Sequence, residues 1–119
     1  MKAPLPIGPY SQAIKVGSTL FISGQIAMEK SEGKELTIEE ETYSVLQNIK
    51  AILTEAKLNL ENVAKVSIFI KNMEQFHKIN SVYSSFFEGV EVFPARETVE
   101  VSRLPKNVAI EISAIAVEF

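Results

Sequence analysis

The chain has 119 residues, of which 46% are hydrophobic and 23% charged, and its net charge is −3. This size and balance predict one globular domain over residues 1–119. The chain has no cysteine, no aspartate and one histidine, which excludes a disulfide framework, a cysteine nucleophile and the usual metal-ligand clusters. Without a bilayer-spanning apolar run, a signal-peptide core or a basic stripe, we expect a cytoplasmic protein that binds neither membrane nor nucleic acid.

The hydrophobic pattern predicts seven elements in the order β-β-α-β-α-β-β. Prolines at positions 4, 6 and 9 predict an irregular start to the chain. A capping box of Thr37 and Glu40 precedes an amphipathic helix over 38–58, and a second apolar stripe at helical spacing runs over 73–86. Short alternating or β-branched segments predict five strands, over residues 13–16, 20–26, 63–71, 95–102 and 109–117.

Two helices can cover one face of such a sheet, which leaves the other face open. Alternation assigns an apolar set to the helix side, namely Leu20, Ile22, Ile26, Val99, Val101, Ile110 and Ile112. It assigns a mixed set to the open side, namely Phe21, Ser23, Gln25, Ser67, Phe69, Arg96, Thr98, Glu100, Glu111, Ser113 and Ile115. We interpret this mixed face as an oligomer interface with a polar site set into it, the alternative being an ordinary mixed surface.

Arg96 and Glu111 are the first candidates for chemistry. A guanidinium can grip a carboxylate through paired hydrogen bonds, although a structural ion pair explains Arg96 as well. A glutamate within a β-branched strand is unfavourable by propensity, so Glu111 indicates either a functional group or an interface salt bridge. If the last two strands form a hairpin, the two residues lie about 17 Å apart along the strands. A site that they share would then need a neighbouring subunit.

Two further residues have simpler interpretations. His77 lies off the apolar stripe of the second helix, which predicts an exposed residue rather than a catalytic base. Gly24 interrupts a strand pattern, where glycine marks a bulge or the close approach of a ligand. The sequence contains no glycine-rich nucleotide-binding motif, so nucleotide binding has no support.

Several segments together match a known family. They are IGPYSQA at 7–13, ISGQI at 22–26, NSVY at 80–83, FPAR at 93–96, and VEVSRLPK at 99–106 followed by IEI at 110–112. In this order and over essentially the whole chain, they resemble the Rid family of reactive intermediate deaminases, also called YjgF or endoribonuclease L-PSP proteins.

The resemblance implies an α+β, chorismate-mutase-like fold: a mixed sheet with two helices on one face, assembled as a homotrimer with sites between subunits. It also implies a deaminase that needs neither a cofactor nor a metal. Its substrates would be the enamines and imines that pyridoxal-phosphate enzymes release, such as 2-aminoacrylate, the tautomer of 2-iminopropanoate, and 2-iminobutanoate. The products would be 2-oxo acids and ammonia.

The same resemblance implies roles for individual residues. Arg96 grips the substrate carboxylate, Glu111 is linked to the attacking water, and Tyr10 assists. The pocket is lined by Ser23, Gly24 and Asn80. Glu97 departs from the family pattern, since relatives have a small residue there, and alternation directs Glu97 away from Arg96.

Two other functions remain open on the sequence. A trimer of this kind could sense 2-oxo acids or amino acids without turnover, but a carboxylate sensor needs Arg96 and has no use for Glu111. Ribonuclease or translation-inhibitor activity is the other alternative. The acidic net charge and the lack of a basic stripe disfavour it.

Overall fold

The computed structural model describes residue 8 and residues 10–119. The proline-rich start predicted from the sequence therefore lies largely outside the described residues. Among these described residues are three α-helices: α1 Met28–Ser31, α2 Ile38–Glu55 and α3 Phe76–Phe86. The single turn of α1 was not predicted, because four residues are too few to show a helical period.

Five strands form one mixed sheet: β1 Ala13–Val16, β2 Thr19–Gln25, β3 Val63–Ile70, β4 Ala95–Glu100 and β5 Ile110–Val117. Their order is β1-β2-β5-β3-β4, and every neighbouring pair is antiparallel except β3 and β4, which are parallel. The predicted α+β fold is confirmed. The last two strands do not form the hairpin that was considered as one possibility, because the apolar β5 inserts at the centre while the polar β4 lies at an edge.

The two longer helices pack on the same face of the sheet. The capping box at the start of α2 is present as predicted: the Glu40 N–H donates to Thr37 Oγ1 at 3.1 Å, and the Thr37 N–H donates to Glu40 Oε1 at 2.8 Å. The core joins α2 and α3 to the helix side of β2, β3 and β5, including the predicted Leu20, Ile22, Ile110 and Ile112. Met73, predicted to begin the apolar stripe of α3, lies in a preceding 3-10 turn and is exposed.

A β-bulge in β2 corrects one predicted orientation. Ser23 and Gly24 together oppose the single residue Ser113 of β5. This extra residue reverses the alternation beyond the bulge. The prediction that Gln25 lies on the open face is therefore wrong: Gln25 is 2% exposed, on the helix side, and its amide donates to Gln12 Oε1 at 2.9 Å.

The orientation of β4 is also the reverse of the prediction. Arg96 pairs with Val66 and Thr98 with Ile68, and both partners are buried on the helix side. Three side chains were predicted on the open face but lie on the helix side, namely Arg96, Thr98 and Glu100. Val99, predicted on the helix side, faces the open side. Apolar burial does not fix the orientation of an edge strand, because both of its faces stay accessible. Two residues expected on the helix side, Ile26 and Val101, lie beyond the ends of β2 and β4.

Glu41 of α2 has a structural role that the sequence did not indicate. Its side chain is buried, and its Oε2 accepts the N–H groups of Ala109 at 2.8 Å and Ile110 at 3.2 Å. Because β2 has already ended opposite Ile112, the carboxylate supplies the acceptor that a neighbouring strand would otherwise offer. It thereby ties α2 to the segment that leads into Glu111.

Candidate functional site

The bulge in β2 and the carboxylate of Glu111 fit against each other. Glu111 lies on the open side of β5, as predicted. A Cβ atom added to Gly24 would lie 2.5 Å from Glu111 Oε2 and 2.7 Å from its Cδ. Gly24 does not adopt a positive φ, so space rather than backbone conformation requires glycine here. The bulge predicted at Gly24 is confirmed. The close approach of a ligand stays a prediction, and the side chain that lies against Gly24 is Glu111.

The bulge also fixes the segment that follows Tyr10. The Ser23 hydroxyl donates to the Ser11 carbonyl at 2.6 Å, and the Ser23 N–H donates to the Gln12 carbonyl at 2.9 Å. The Tyr10 side chain is 44% exposed. We call Ser23, Gly24 and Glu111 the bulge cluster; Tyr10 precedes the segment that Ser23 holds.

Burial raises the pKa of the Glu111 carboxyl above its ordinary value of 4.5. Within the described part of the chain, Glu111 forms no ion pair that would oppose this effect. Loss of water around a carboxyl disfavours its charged form. A carboxyl with a raised pKa is typical of groups that exchange protons with a ligand, although structural groups show such shifts as well.

Arg96 lies on the other side of the sheet, against α3. Its Nη1 donates to Asn80 Oδ1 at 2.7 Å, and its Cζ lies 4.8 Å from the centroid of the Tyr83 ring. Among residues 10–119 it forms no ion pair, so the structural ion pair considered from sequence is not present there. We call Asn80, Tyr83 and Arg96 the arginine cluster.

The arginine cluster borders a cleft of about 240 Å³. Its lining residues are Asn80, Tyr83, Ser84, Phe93, Pro94 and Arg96. Since one water occupies roughly 30 Å³ in the liquid, the cleft has room for a molecule of several heavy atoms. A guanidinium beside a cleft of this size is suited to a small carboxylic acid.

The two clusters do not meet within one chain. Glu111 pairs with Phe69 of β3, whereas Arg96 pairs with Val66 on the opposite edge of the same strand. Two strand spacings and three residues along β3 separate their backbones by roughly 14 Å. Their side chains also point to opposite faces of the sheet. Although β4 and β5 do not form a hairpin, Arg96 and Glu111 still cannot hold the same small molecule within one subunit.

Glu97 faces away from Arg96, as predicted. Ser67 Oγ donates to Glu97 Oε2 at 2.8 Å, and Lys65 Nζ lies 3.5 Å from Glu97 Oε1. The hydrogen bond from Ser67 and the charge of Lys65 lower the pKa of the Glu97 carboxyl. This acidic residue is therefore engaged on the open face, outside the arginine cluster. His77 is exposed on α3, also as predicted.

Sequence reasoning placed Thr98 on the same strand face as Arg96 but missed the side chain of Tyr83 beside them. The hydroxyls of Tyr83 and Thr98 are buried without a hydrogen-bond partner among the described residues. The spacing contained the signal: Tyr83 follows Asn80 by three residues on one helix face, and Thr98 follows Arg96 by two on one strand face.

Comparison with known proteins identifies the family. A family model described as Endoribonuclease L-PSP matches residues 1–118. A RutC family protein of Pyrococcus abyssi is 53% identical over 117 residues, covering 97% of this chain and 91% of the relative. The chain belongs to the Rid (YjgF, endoribonuclease L-PSP) family. A RutC family protein of Aquifex aeolicus, 45% identical, covers 98% of this Rid chain and 94% of its own length.

Solved structures agree with this assignment. Escherichia coli TdcF with bound serine superposes with a TM-score of 0.91 at 39% identity, over 98% of this chain and 94% of TdcF. The Rid family protein YyfA of Yersinia pestis gives a TM-score of 0.90 at 44% identity, over 98% and 93%. The YjgF-like fold expected from the motifs is thus confirmed. None of the described helices has the length and apolarity needed to cross a membrane.

Replacing Gly24 tests the contact with Glu111. We expect Gly24→Ala to fold but to move the Glu111 carboxylate by about 1 Å, at a cost of about 1 kcal/mol of stability, because the side chain must leave its rotamer. Crystal structures of the variant and wild type measure the displacement. Gly89→Ala is the control, since a Cβ there meets nothing within 4 Å. An unmoved Glu111 in Gly24→Ala contradicts the requirement for glycine.

Proposed function

We propose that this protein is a deaminase that hydrolyses small 2-imino acids, and their enamine tautomers such as 2-aminoacrylate, to 2-oxo acids and ammonia. Family membership does not fix this activity, because function depends on the site. The observation that carries the proposal is one pair of groups: the guanidinium of Arg96, free of ion pairs within residues 10–119 and beside a small cleft, and the Glu111 carboxyl with a raised pKa.

The proposal includes a homotrimer, in which the arginine cluster of one subunit meets the bulge cluster of its neighbour. The separation of Arg96 from Glu111 within one chain supports it. So does the uncovered face of the sheet, which exposes several large apolar side chains, namely Ile14, Val16, Phe21 and Val99. Such a surface is typical of a protein interface.

Arg96 binds the substrate carboxylate. A guanidinium has five N–H donors, and Asn80 accepts one of them. The remaining donors can bind a carboxylate through two parallel hydrogen bonds. Bound serine in the related TdcF supports a ligand of this class, since serine carries the same carboxylate beside a nitrogen-bearing carbon.

Glu111 acts on the water. Protonation of the enamine methylene carbon by solvent, with loss of one proton from nitrogen, gives the imine, and water then adds to the imine carbon. Glu111 accepts a proton from this water and returns one to the nitrogen, which gives the carbinolamine. A second proton passes from the carbinolamine hydroxyl to the nitrogen, so that ammonia leaves and the 2-oxo acid forms. Tyr10, Ser23 and Gly24 line this end of the site. A carboxyl whose pKa lies closer to the working pH exchanges protons more effectively.

Sensing without turnover is the competing function. It uses Arg96 in the same way but gives Glu111 no task. The two functions therefore make different predictions for a kinetic experiment in which the imine forms continuously.

The experiment generates 2-aminoacrylate with a pyridoxal-phosphate serine dehydratase and follows 2-oxo acid formation. We expect the protein to accelerate this step, and Arg96→Ala to lower kcat/KM about 100-fold, because a charge-assisted bidentate contact is lost. Arg103→Ala is the matched control. Arg103 is the other arginine of the chain, is exposed and lies outside both clusters, so its variant should keep wild-type activity.

Wild-type protein that fails to accelerate imine loss overturns the deaminase. Calorimetric binding of serine by such a protein, lost in Arg96→Ala, would then establish the sensor. An equal loss in both arginine variants would instead attribute the effect to net charge. Each variant is compared at the same oligomeric mass.

The pH dependence of kcat/KM tests Glu111. Because burial disfavours the charged form, the pKa of the Glu111 carboxyl lies above its ordinary value of 4.5. Glu111 must be ionised to act as a base. Activity should therefore rise with pH through a pKa above 4.5. Glu111→Gln should lose this limb together with about 100-fold in rate. The control Glu97→Gln should retain the limb, and a wild-type limb below 4.5 contradicts the assignment.

A further inference from the structure

Three side chains on one face of α3 contact the guanidinium of Arg96. Phe76, Asn80 and Tyr83 follow one another at spacings of four and three residues, which places them on one side of the helix. The Asn80 Oδ1 accepts from Nη1 at 2.7 Å, and the Cζ of Arg96 lies 4.8 Å from the Tyr83 ring centroid and 5.7 Å from that of Phe76. Tyr83 therefore makes the closer of the two aromatic contacts.

From this arrangement we infer that Tyr83 is a positioning residue for Arg96. Its ring supports one face of the guanidinium, while Asn80 fixes the rotation of the guanidinium about that face. Together they direct the remaining N–H donors of Arg96 toward the cleft. The inference rests on the proposed function only in taking a small carboxylate as the ligand of Arg96.

The Tyr83 ring is itself held rigidly. Tyr83 is 5% exposed, and its ring lies 4.8 Å from that of Phe87, which is fully buried in the core. A cation placed over an aromatic face is attracted by the ring electrons. A ring that cannot rotate away gives the guanidinium one preferred plane, which reduces the ordering still needed when a ligand binds.

The hydroxyl of Tyr83 does not account for this arrangement. It is buried and has no hydrogen-bond partner among the described residues. Removing it in Tyr83→Phe leaves the ring and eliminates a buried polar atom that lacks a partner. Tyr83→Leu instead keeps an apolar side chain and removes the aromatic face. The two substitutions separate the ring from the hydroxyl.

The first test observes the guanidinium directly. The chain has two arginines, so a nitrogen–proton correlation spectrum has two Arg Nε–H signals, and Arg96→Lys assigns them. We expect the Arg96 signal of wild-type protein to be displaced from that of Arg103 by the ring current of Tyr83. Tyr83→Phe should retain the displacement and Tyr83→Leu should lose it. This measurement requires no turnover and can begin on the wild-type protein.

The second test measures function. We expect Tyr83→Leu to raise the Kd for 2-oxobutanoate and the KM for the imine about tenfold, with kcat changed less than threefold, because binding geometry is lost rather than chemistry. Tyr83→Phe should remain near wild type. Phe86→Leu is the matched control. It removes an aromatic ring from the same helix, and this ring contacts Tyr43 and Phe87. It should lower stability without changing KM.

Several outcomes would overturn the inference. Wild-type protein whose Arg96 signal shows no ring-current displacement contradicts the contact, whether or not Tyr83→Leu folds. Unchanged Kd and KM in Tyr83→Leu would show that the ring does not position Arg96. A loss in Tyr83→Phe equal to that in Tyr83→Leu would assign the role to the hydroxyl. If wild type has no deaminase activity, the spectrum and the Kd still test Tyr83 separately from the proposed function.

Discussion

The position of β5 between β2 and β3 determines where each candidate residue lies. It sets Glu111 in the middle of the open face, directly against the bulge of β2 that leaves room for the carboxylate at Gly24. It also leaves β4 as an edge strand beyond β3, where Arg96 turns toward α3. Glu41 holds the start of β5 to α2 through two backbone hydrogen bonds. The separation of the bulge cluster from the arginine cluster follows from this one strand placement.

Each cluster is stabilised by its own surroundings. The guanidinium of Arg96 is held by a helix face, and burial raises the pKa of the Glu111 carboxyl, which lies against Gly24. Neither cluster needs the other cluster for its local structure. The proposed hydrolysis, however, needs both a group that binds the carboxylate and a proton acceptor beside the same small molecule. Assembly of subunits would therefore complete the site without changing the fold of either half. In the proposed trimer the chemistry would lie at an interface, where association and activity depend on each other.

Local sequence patterns predicted the two longer helices and the five strands. The wrongly assigned side-chain orientations depend on how distant segments pair in the sheet. The capping box at Thr37 and the strand predicted over residues 63–71 depend on neighbouring residues, and both were confirmed. Gln25 was assigned to the wrong face because one extra residue in a bulge reverses the alternation, and the sequence does not reveal which partner residue is skipped. Arg96 was assigned to the wrong face because an edge strand lacks the burial that would orient it. The roles of Arg96 and Glu111 stay predictions from the motifs, which do not depend on the strand order.

Subunit complementation tests the central claim that the site combines Arg96 of one subunit with Glu111 of another. Arg96→Ala and Glu111→Gln are each expected to be inactive. When both are expressed together in equal amounts, random assembly into cyclic trimers gives each site one chance in about four of receiving both intact residues. The account predicts that the mixture recovers about a quarter of wild-type activity, whereas mixing the separately assembled variants recovers none until subunits exchange. A coexpressed mixture as inactive as its parents would contradict a site shared between subunits.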